Sequence, residues 1–465
     1  MKILKSVTLS PEQLELVKEK PSGVLVIRGS AGSGKTTTAL MRLRQLSRSR
    51  LARRTRLEHT DPVRVLVLTY NKTLKGYVEA LAAEQVTTDR NLTLTVATFA
   101  KWAKTLVGSS VNVDADHAEQ LLRRLARDFS ANPDFICDEV KYLLGRFAPG
   151  DLESYLTTRR QGRGASPRME EAARRRLLDE VVYPYVRQKA AKKIGDWRDL
   201  ETAAATAHPN LKWDVVVIDE TQDFTANMVR AVLAHTNDET STTFIIDAVQ
   251  QIYKHGFAWS DVGLRNPRVR SLKKNHRNTR QIAAFARPLV DGLTVSSDGM
   301  LPDLDAATRE GPKPIILSGR FRGQLRWVLD NIIRKVDLAN ESVAFLHALG
   351  GGWNSELLAR LDAESVPYVD LQRADHWPAG DEAVAVSTLH SAKGLEFDHV
   401  VILGLNAEVT PHGAAADDTD LDGLRRLLAM GIGRAQQTVT IGYKPTEAST
   451  LVSYFAADTY TKISV

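Results

Sequence analysis

The chain has 465 residues, 43% hydrophobic and 25% charged, an ordinary soluble globular composition long enough for two or more buried cores. A single cysteine, Cys137, excludes a disulfide framework and a cysteine metal cluster. No apolar run approaches the roughly 20 residues of a membrane span and the N-terminus lacks a signal-like apolar region, so a cytoplasmic protein is expected.

The formal charge of +6 is unevenly spread, with seven arginines and no acid from Arg42 to Arg56, and eleven basic against four acidic residues from Arg159 to Lys193. Each cluster is either a track for a phosphate backbone or a solvated helix face.

In chain order, Leu9-Ser-Pro-Glu-Gln13 predicts a helix start, with Ser10 as N-cap, Pro11 in the first turn and Gln13 closing a capping box. An amide there also suits an adenine edge, offering one donor and one acceptor. The apolar run Val24–Ile27 then feeds Gly29-Ser30-Ala31-Gly32-Ser33-Gly34-Lys35-Thr36, followed by helix formers from Thr37. This strand, loop and helix order is the phosphate-binding loop, in which glycines let backbone N–H groups close around the phosphates. Lys35 reaches the terminal phosphates, and the Thr36 hydroxyl is placed for Mg²⁺.

Two further strands, Val63–Leu68 and Leu92–Val96, run into Thr69-Tyr70-Asn71-Lys72 and Thr98-Phe99-Ala100-Lys101. Ligands bind at the carboxyl ends of such strands, so Tyr70, Lys72, Phe99 and Lys101 are candidates for base stacking or phosphate contact, or else core caps. From Leu106 to Thr206 the apolar residues recur at helical spacing, as in Leu121, Leu122 and Leu125, which predicts an all-α insertion.

The α/β pattern resumes with Val215–Ile218 and the acids Asp219-Glu-Thr-Gln-Asp223. Carboxylates at a strand mouth are costly unless they bind metal or activate water. Asp219 is therefore the Mg²⁺-organising candidate and Glu220 the group that orients the attacking water. After the strand Phe244–Asp247, Gln250 is a candidate γ-phosphate contact, while Tyr253 and His255 offer flat faces to bases. Strands are expected at Lys313–Leu317, Val343–Leu346, Pro367–Leu371, Val384–Ser387 and His399–Leu403, with 296–314 a loop or linker and Thr438–Tyr443 closing the sheet. Within this unit lie Thr388-Leu-His-Ser-Ala-Lys-Gly-Leu-Glu-Phe397 and a helix bearing Arg425, Arg426 and Arg434. Arginine is the residue expected where a planar, permanently charged fork meets a γ-phosphate from across a cleft.

Taken in order, these blocks resemble those of the superfamily 1 helicases of the UvrD, Rep and PcrA type, from Leu9 to about Tyr443. The resemblance implies an α/β fold of two RecA-like parallel-sheet P-loop NTPase domains, with ATP and Mg²⁺ held between them. It divides the chain into 1–105 plus 207–270 as the first domain, 106–206 as its helical insertion and 271–465 as the second. It implies that Gln13 and His276 hold the adenine, Glu396 the ribose, and 29–37 the phosphates, Thr37 included. Lys35, Glu220 and Gln250 would act from the first domain, and Arg277 and Arg434 as arginine fingers from the second.

The same resemblance implies a groove for single-stranded DNA or a 3′-tailed duplex, formed by Tyr70, Asn71, Lys72, Thr98, Phe99, Tyr253, His255, His390 and His412. The activity implied is ATP-dependent 3′ to 5′ translocation and unwinding. The alternative is a nucleic-acid-stimulated ATPase subunit, motor or sensor of a larger DNA-repair or phage-defence complex, that works with a nuclease or repair factor and unwinds little alone. The arginine helix departs from the family pattern, carrying Leu424, Ala429 and Gly433 where Glu, Tyr and Thr are expected. The segment between Arg277 and Thr388 is too short for the family's large second insertion, so a compact form is expected.

Overall fold

The computed structural model of the chain describes residues 9–19, 22–29, 33–70, 79, 91–129, 132–160, 169–246, 257–272, 275–293, 307–347, 352–372, 380, 382–408 and 419–465, with 275–277, 308 and 419–420 as backbone only. Its first sheet contains β1 (Gly23–Gly29), β2 (Val63–Thr69), β3 (Leu92–Thr98), β4 (Val215–Ile218), β5 (Ser241–Ile246) and β6 (Arg268–Leu272) in the order β3-β2-β4-β5-β1-β6. Every pairing in it is parallel.

A parallel sheet is covered on both faces, which is why its inner strands read as unbroken apolar runs. Along β2 the side chains alternate between two cores. Val63, Val65 and Val67 pack with Ile27, Val215 and Ile245 under the helix Lys35–Arg56. Leu66 and Leu68 pack with Val26, Ile218 and Phe244 against the helices Phe99–Val107, Trp197–Thr206 and Ala226–Ala234.

Between β3 and β4 lies the helical block: Ala115–Ala126, Pro133–Arg146 and a continuous helical run from Glu171 to Lys192 with a π-helical turn at Leu177–Val182. Its own core joins Leu121, Leu122, Ile136, Leu143, Leu178 and Val182. The helix Trp197–Thr206, expected to belong to this insertion, packs beneath the first sheet instead. The block is fastened to that sheet's lobe by the Asn227 amide, which donates to the carbonyls of Leu144 and Phe147 (2.7 and 3.0 Å), and by the Arg146–Asp261 ion pair at 2.8 Å.

Past β6 the chain changes sheets. A short parallel pair, β7 (Asn275–Thr279) and β8 (Ala307–Arg309), leads into a seven-stranded sheet of β9 (Ile315–Ser318), β10 (Val343–His347), β11 (Tyr368–Asp370), β12 (Val384–Thr388), β13 (Phe397–Ile402), β14 (Ala435–Tyr443) and β15 (Thr461–Ser464). Their order is β11-β12-β10-β13-β14-β9-β15, again with parallel pairings. One face packs on the helices Arg280–Val290 and Thr419–Ile432. The other packs on Phe321–Val328, its continuation to Ile333, and Trp353–Ala363. No helix among the described residues is long and apolar enough to cross a membrane.

Three expectations are corrected. β8 lies in the stretch read as a linker, β14 is interior with β9 and then β15 beyond it, and β6, missed by pattern, extends the first sheet to Leu272. All involve edge or two-stranded pieces, whose half-wet sequences lack an apolar run. In β6, Arg268 and Arg270 face outward to the Ser22 carbonyl and Glu19.

Candidate nucleotide site and the cleft between lobes

The site is built at the carboxyl ends of β1 and β4. The chain leaves β1 at Gly29 and enters the helix Lys35–Arg56 through Gly34, whose φ of +75° is left-handed. A Cβ at Gly34 would strike the Gln13 amide, and one at Gly29 would strike Ser33 Oγ. The predicted capping box is present: Ser10 N–H donates to Gln13 Oε1 (2.8 Å), and the Ser10 hydroxyl accepts from Gln13 N–H. Gln13 is 5% exposed, and its Nε2 donates to the Ser33 carbonyl at 3.1 Å, so the amide braces the phosphate loop from behind. Lys35 Nζ donates to the Gly29 carbonyl at 2.8 Å. Thr37 lies half-buried in the helix's first turn. Ser30, Ala31 and Gly32 lie outside the described residues.

Folding brings Thr36 and Asp219 together: the Thr36 hydroxyl donates to Asp219 Oδ2 at 2.9 Å. Asp219 is fixed by its own N–H to the Leu68 carbonyl (2.9 Å), and its Oδ1 accepts the Glu220 N–H at 2.8 Å. Glu220 has φ +52°, a left-handed conformation unusual for a residue with a side chain. That backbone starts the short turn Thr221–Asp223 and leaves both carboxylates at the strand mouth.

From the second sheet's lobe, Lys393 reaches across the cleft. It is 3% exposed, with Nζ 3.3 Å from Glu220 Oε2 and also paired with Asp223, while the Gln222 amide donates to Glu220. Arg434, 2% exposed, donates to the carbonyls of Met430 (3.2 Å) and Leu395 (3.3 Å) and acts electrostatically on Glu220. Burial, reinforced by the charge on Glu220, pushes Asp219 up to about 7. Burial would also raise Glu220, but Lys393, Arg434 and Lys35 outweigh it and hold that carboxyl below its ordinary value.

The turn that carries Lys393 is compact. Thr388 Oγ1 accepts the Ser391 N–H (3.0 Å), Lys393 N–H donates to the His390 carbonyl (3.3 Å), and Phe397 N–H donates to the Arg434 carbonyl (3.0 Å). Burial, aided by Lys393, holds the His390 imidazole below its usual value. Glu396 accepts from the Gln436 amide at 3.2 Å. The Asn278 amide donates to Gly433 (3.2 Å) and Ala435 (2.6 Å), tying β7 to the Arg434 turn. The side chains of His276 and Arg277 lie outside the described residues, as do Asn71, Lys72, Gln250, Tyr253, His255 and His412.

Phe99 is a correction. Expected in a strand-binding groove, it is 2% exposed and packs edge-on to Trp102 (5.6 Å) and Phe224 (5.8 Å), because the helix it opens turns this face into the core. Tyr70 sits half-buried, 6.3 Å from Phe224, and the Thr98 hydroxyl caps the helix by accepting the Lys101 N–H. Arg425 is occupied by the carbonyls of Leu289 and Asp291 (3.0 and 2.6 Å). Lys393, Gln222 and Asp223 were not singled out from sequence. The only signal was their membership of the Thr388–Phe397 and Asp219–Asp223 blocks.

Residues 13–256, more than half the chain, match the AAA domain family, and residues 368–446 match the UvrD-like helicase C-terminal domain. Among relatives, the chain is 41% identical to the ATP-dependent DNA helicase Rep of Escherichia coli over 59 residues, 13% of this chain and 9% of Rep. It is 41% identical to E. coli DNA helicase II over 75 residues, 16% of this chain and 10% of that protein. It is 34% identical to the ATP-dependent DNA helicase UvrD1 of Mycobacterium tuberculosis over 178 residues, 35% of this chain and 22% of that one. The matched segments thus span from about a tenth to a fifth of those relatives' lengths. With one matched family lying over the phosphate-loop lobe and the other over the lobe that supplies Lys393 and Arg434, the chain belongs to the UvrD-like helicases of superfamily 1.

Proposed function

We propose that this chain hydrolyses ATP in the cleft between its lobes and uses the cycle to move 3′ to 5′ along single-stranded DNA, opening duplex from a 3′ tail. The carrying observation is the convergence of Lys393 and Arg434 from one lobe on Glu220 of the other, beside the Thr36–Asp219 pair. Groups from two lobes around one carboxylate make hydrolysis sensitive to how the lobes sit.

The donor set fits Mg²⁺. A hydroxyl and a carboxylate oxygen 2.9 Å apart at a helix N-terminus are hard oxygen donors of the kind Mg²⁺ takes, and Ser33 Oγ is buried with no hydrogen-bond partner among the described residues. Thr36 and Asp219 would hold the ion, which neutralises charge on the β- and γ-phosphates when bound. Lys35 grips the terminal phosphates, Glu220 orients the water, Gln250 senses the γ-phosphate, and Arg277 and Arg434 meet the charge that develops in transfer. Gln13, His276 and Glu396 hold the nucleoside. Tyr70, Asn71, Lys72, Thr98, Tyr253, His255, His390 and His412 form the track.

A second reading rests on the described residues between β8 and β12, which form core strands and helices of the second sheet with no additional domain. Such a compact motor would draw duplex engagement from a partner such as a nuclease or repair factor, and would open little DNA alone. Both readings require Lys35→Ala to abolish ATP turnover, and turnover in the unsubstituted protein to rise with poly-dT. Strand displacement on a 3′-tailed duplex separates them, because robust opening by the purified chain supports the helicase and stimulated hydrolysis without opening supports the subunit. ATPase that ignores poly-dT overturns both.

A further inference from the structure

Part of the positive charge singled out by sequence is engaged within the fold, by carboxylates or by backbone carbonyls. Within Arg42–Arg56, Arg42 donates to the carbonyls of Leu16, Val17 and Glu19, Arg50 and Arg53 pair with Glu239, and Arg54 pairs with Asp214. Within Arg159–Lys193, Arg160 pairs with Glu139, Arg175 with Glu153, Arg176 with Glu180 and Lys189 with Asp196 and Asp199.

The last two residues of that second cluster, with two lysines of the helix Phe99–Val107, have no such partner among the described residues. Lys101, Lys104, Lys192 and Lys193 are exposed, and no carboxylate of the described residues pairs with any of them. Beside Lys104, and four residues along the chain from Lys193, stands Trp197, 42% exposed, the one aromatic among the large exposed apolar side chains of the described residues. Lys104 Nζ lies 4.9 Å from the centre of its ring. The acids flanking Trp197 already have partners: Asp196 and Asp199 are held by Lys189 at 2.8 and 2.6 Å and by each other's backbone in a capping box.

The placement follows from two local structures. The helix Phe99–Val107 starts at Thr98, the carboxyl end of β3, and Lys101 and Lys104 lie one turn apart on its outer side. At 1.5 Å per residue Lys104 stands roughly 9 Å along the helix from Thr98. The chain from Lys193 to Trp197 is pinned beside it by Gly195, whose N–H donates to Asn112 O (2.7 Å) and whose carbonyl accepts from Asp114 N–H (2.9 Å). An open indole among unpaired lysines, continuous with the end of β3, matches what a single strand presents, a flat base between phosphates.

We propose that Lys101, Lys104, Lys193 and Trp197 form an accessory contact for single-stranded DNA, engaging nucleotides that extend beyond the track past Thr98. This rests on the track reading above. An acidic protein surface is the competing occupant, and the same experiment decides between them.

The experiment titrates oligothymidylates of 8, 16 and 24 nucleotides against wild type, Trp197→Ala, Trp197→Phe and Lys104→Ala/Lys193→Ala, reading affinity and ATPase stimulation. Because these side chains are exposed, the variants should fold and keep wild-type ATPase without DNA, which circular dichroism and basal turnover check. The expected result is that wild-type affinity rises with length and that Trp197→Ala loses about fivefold or more on the 24-mer and little on the 8-mer. Trp197→Phe recovers part of the loss, and the double lysine variant lowers the slope of log affinity against log salt by about 1.4. Variants that match wild type at every length overturn the accessory contact alone and leave the patch to a protein partner. A wild-type chain that binds none of the oligonucleotides overturns the track and the patch together.

Discussion

Lys393 shows what a single buried cation does at a cleft between lobes. It faces Glu220 and Asp223, both buried, so removing it leaves two carboxylates close together in a site where water cannot screen them. Lys393→Met is expected to destabilise the protein by about 3 to 5 kcal/mol, the usual cost of orphaning a buried partner, and to lower kcat at saturating ATP. Lys393→Arg, which keeps the charge, should recover most of the stability. Chemical denaturation and steady-state ATPase on the two variants check this, and equal effects from Met and Arg would argue against an electrostatic role. The turn bearing Lys393 also bears His390, whose carbonyl accepts the Lys393 N–H, so a residue of the proposed track lies within one turn of the cation paired with Glu220.

At the level of elements, the arginine-rich helix Lys35–Arg56 is chiefly a structural strut. Arg42, buried with its pKa pushed down to about 10 by loss of solvent, donates three hydrogen bonds to carbonyls at the end of the helix Pro11–Lys18. That short helix carries Gln13 onto the phosphate loop, so the arginine supports the nucleotide site at one remove. Arg42→Met should cost about 1 to 3 kcal/mol through unsatisfied carbonyls and weaken ATP binding, with no change in the salt dependence of DNA binding. Urea unfolding, nucleotide titration and salt titration together test it. A flattened salt slope would restore the phosphate-tracking reading of this cluster. The opposite holds for the exposed helix face at Lys101 and Lys104, where charge is left unpaired.

For the whole molecule, the decisive arrangement is that one lobe carries the phosphate loop and acids while the other carries Arg434, buried beside them. Arginines placed in this way act on charge that develops during transfer more than on the bound ground state. Arg434→Ala is expected to leave the Kd for ATP within about threefold while lowering kcat by roughly a thousandfold or more. Equilibrium nucleotide binding set beside single-turnover hydrolysis distinguishes this from collapse of the site, in which both would fail together.

Much of this was legible in the residues alone because it is local. The strand, loop and helix of the phosphate site are contiguous, and Val63–Leu68 and Val215–Ile218 read as strands because a parallel sheet buries both their faces. Other features depend on distant neighbours. The edge strands β6 and β15 have no apolar run to announce them, Phe99 became core through the packing of its helix on the sheet, and the pairing of Lys393 with Asp223 joins residues 170 positions apart. A sequence states where charges lie along the chain. Only the folded chain decides which of them are neutralised, and therefore which, like Lys104 above Trp197, are left to meet something else.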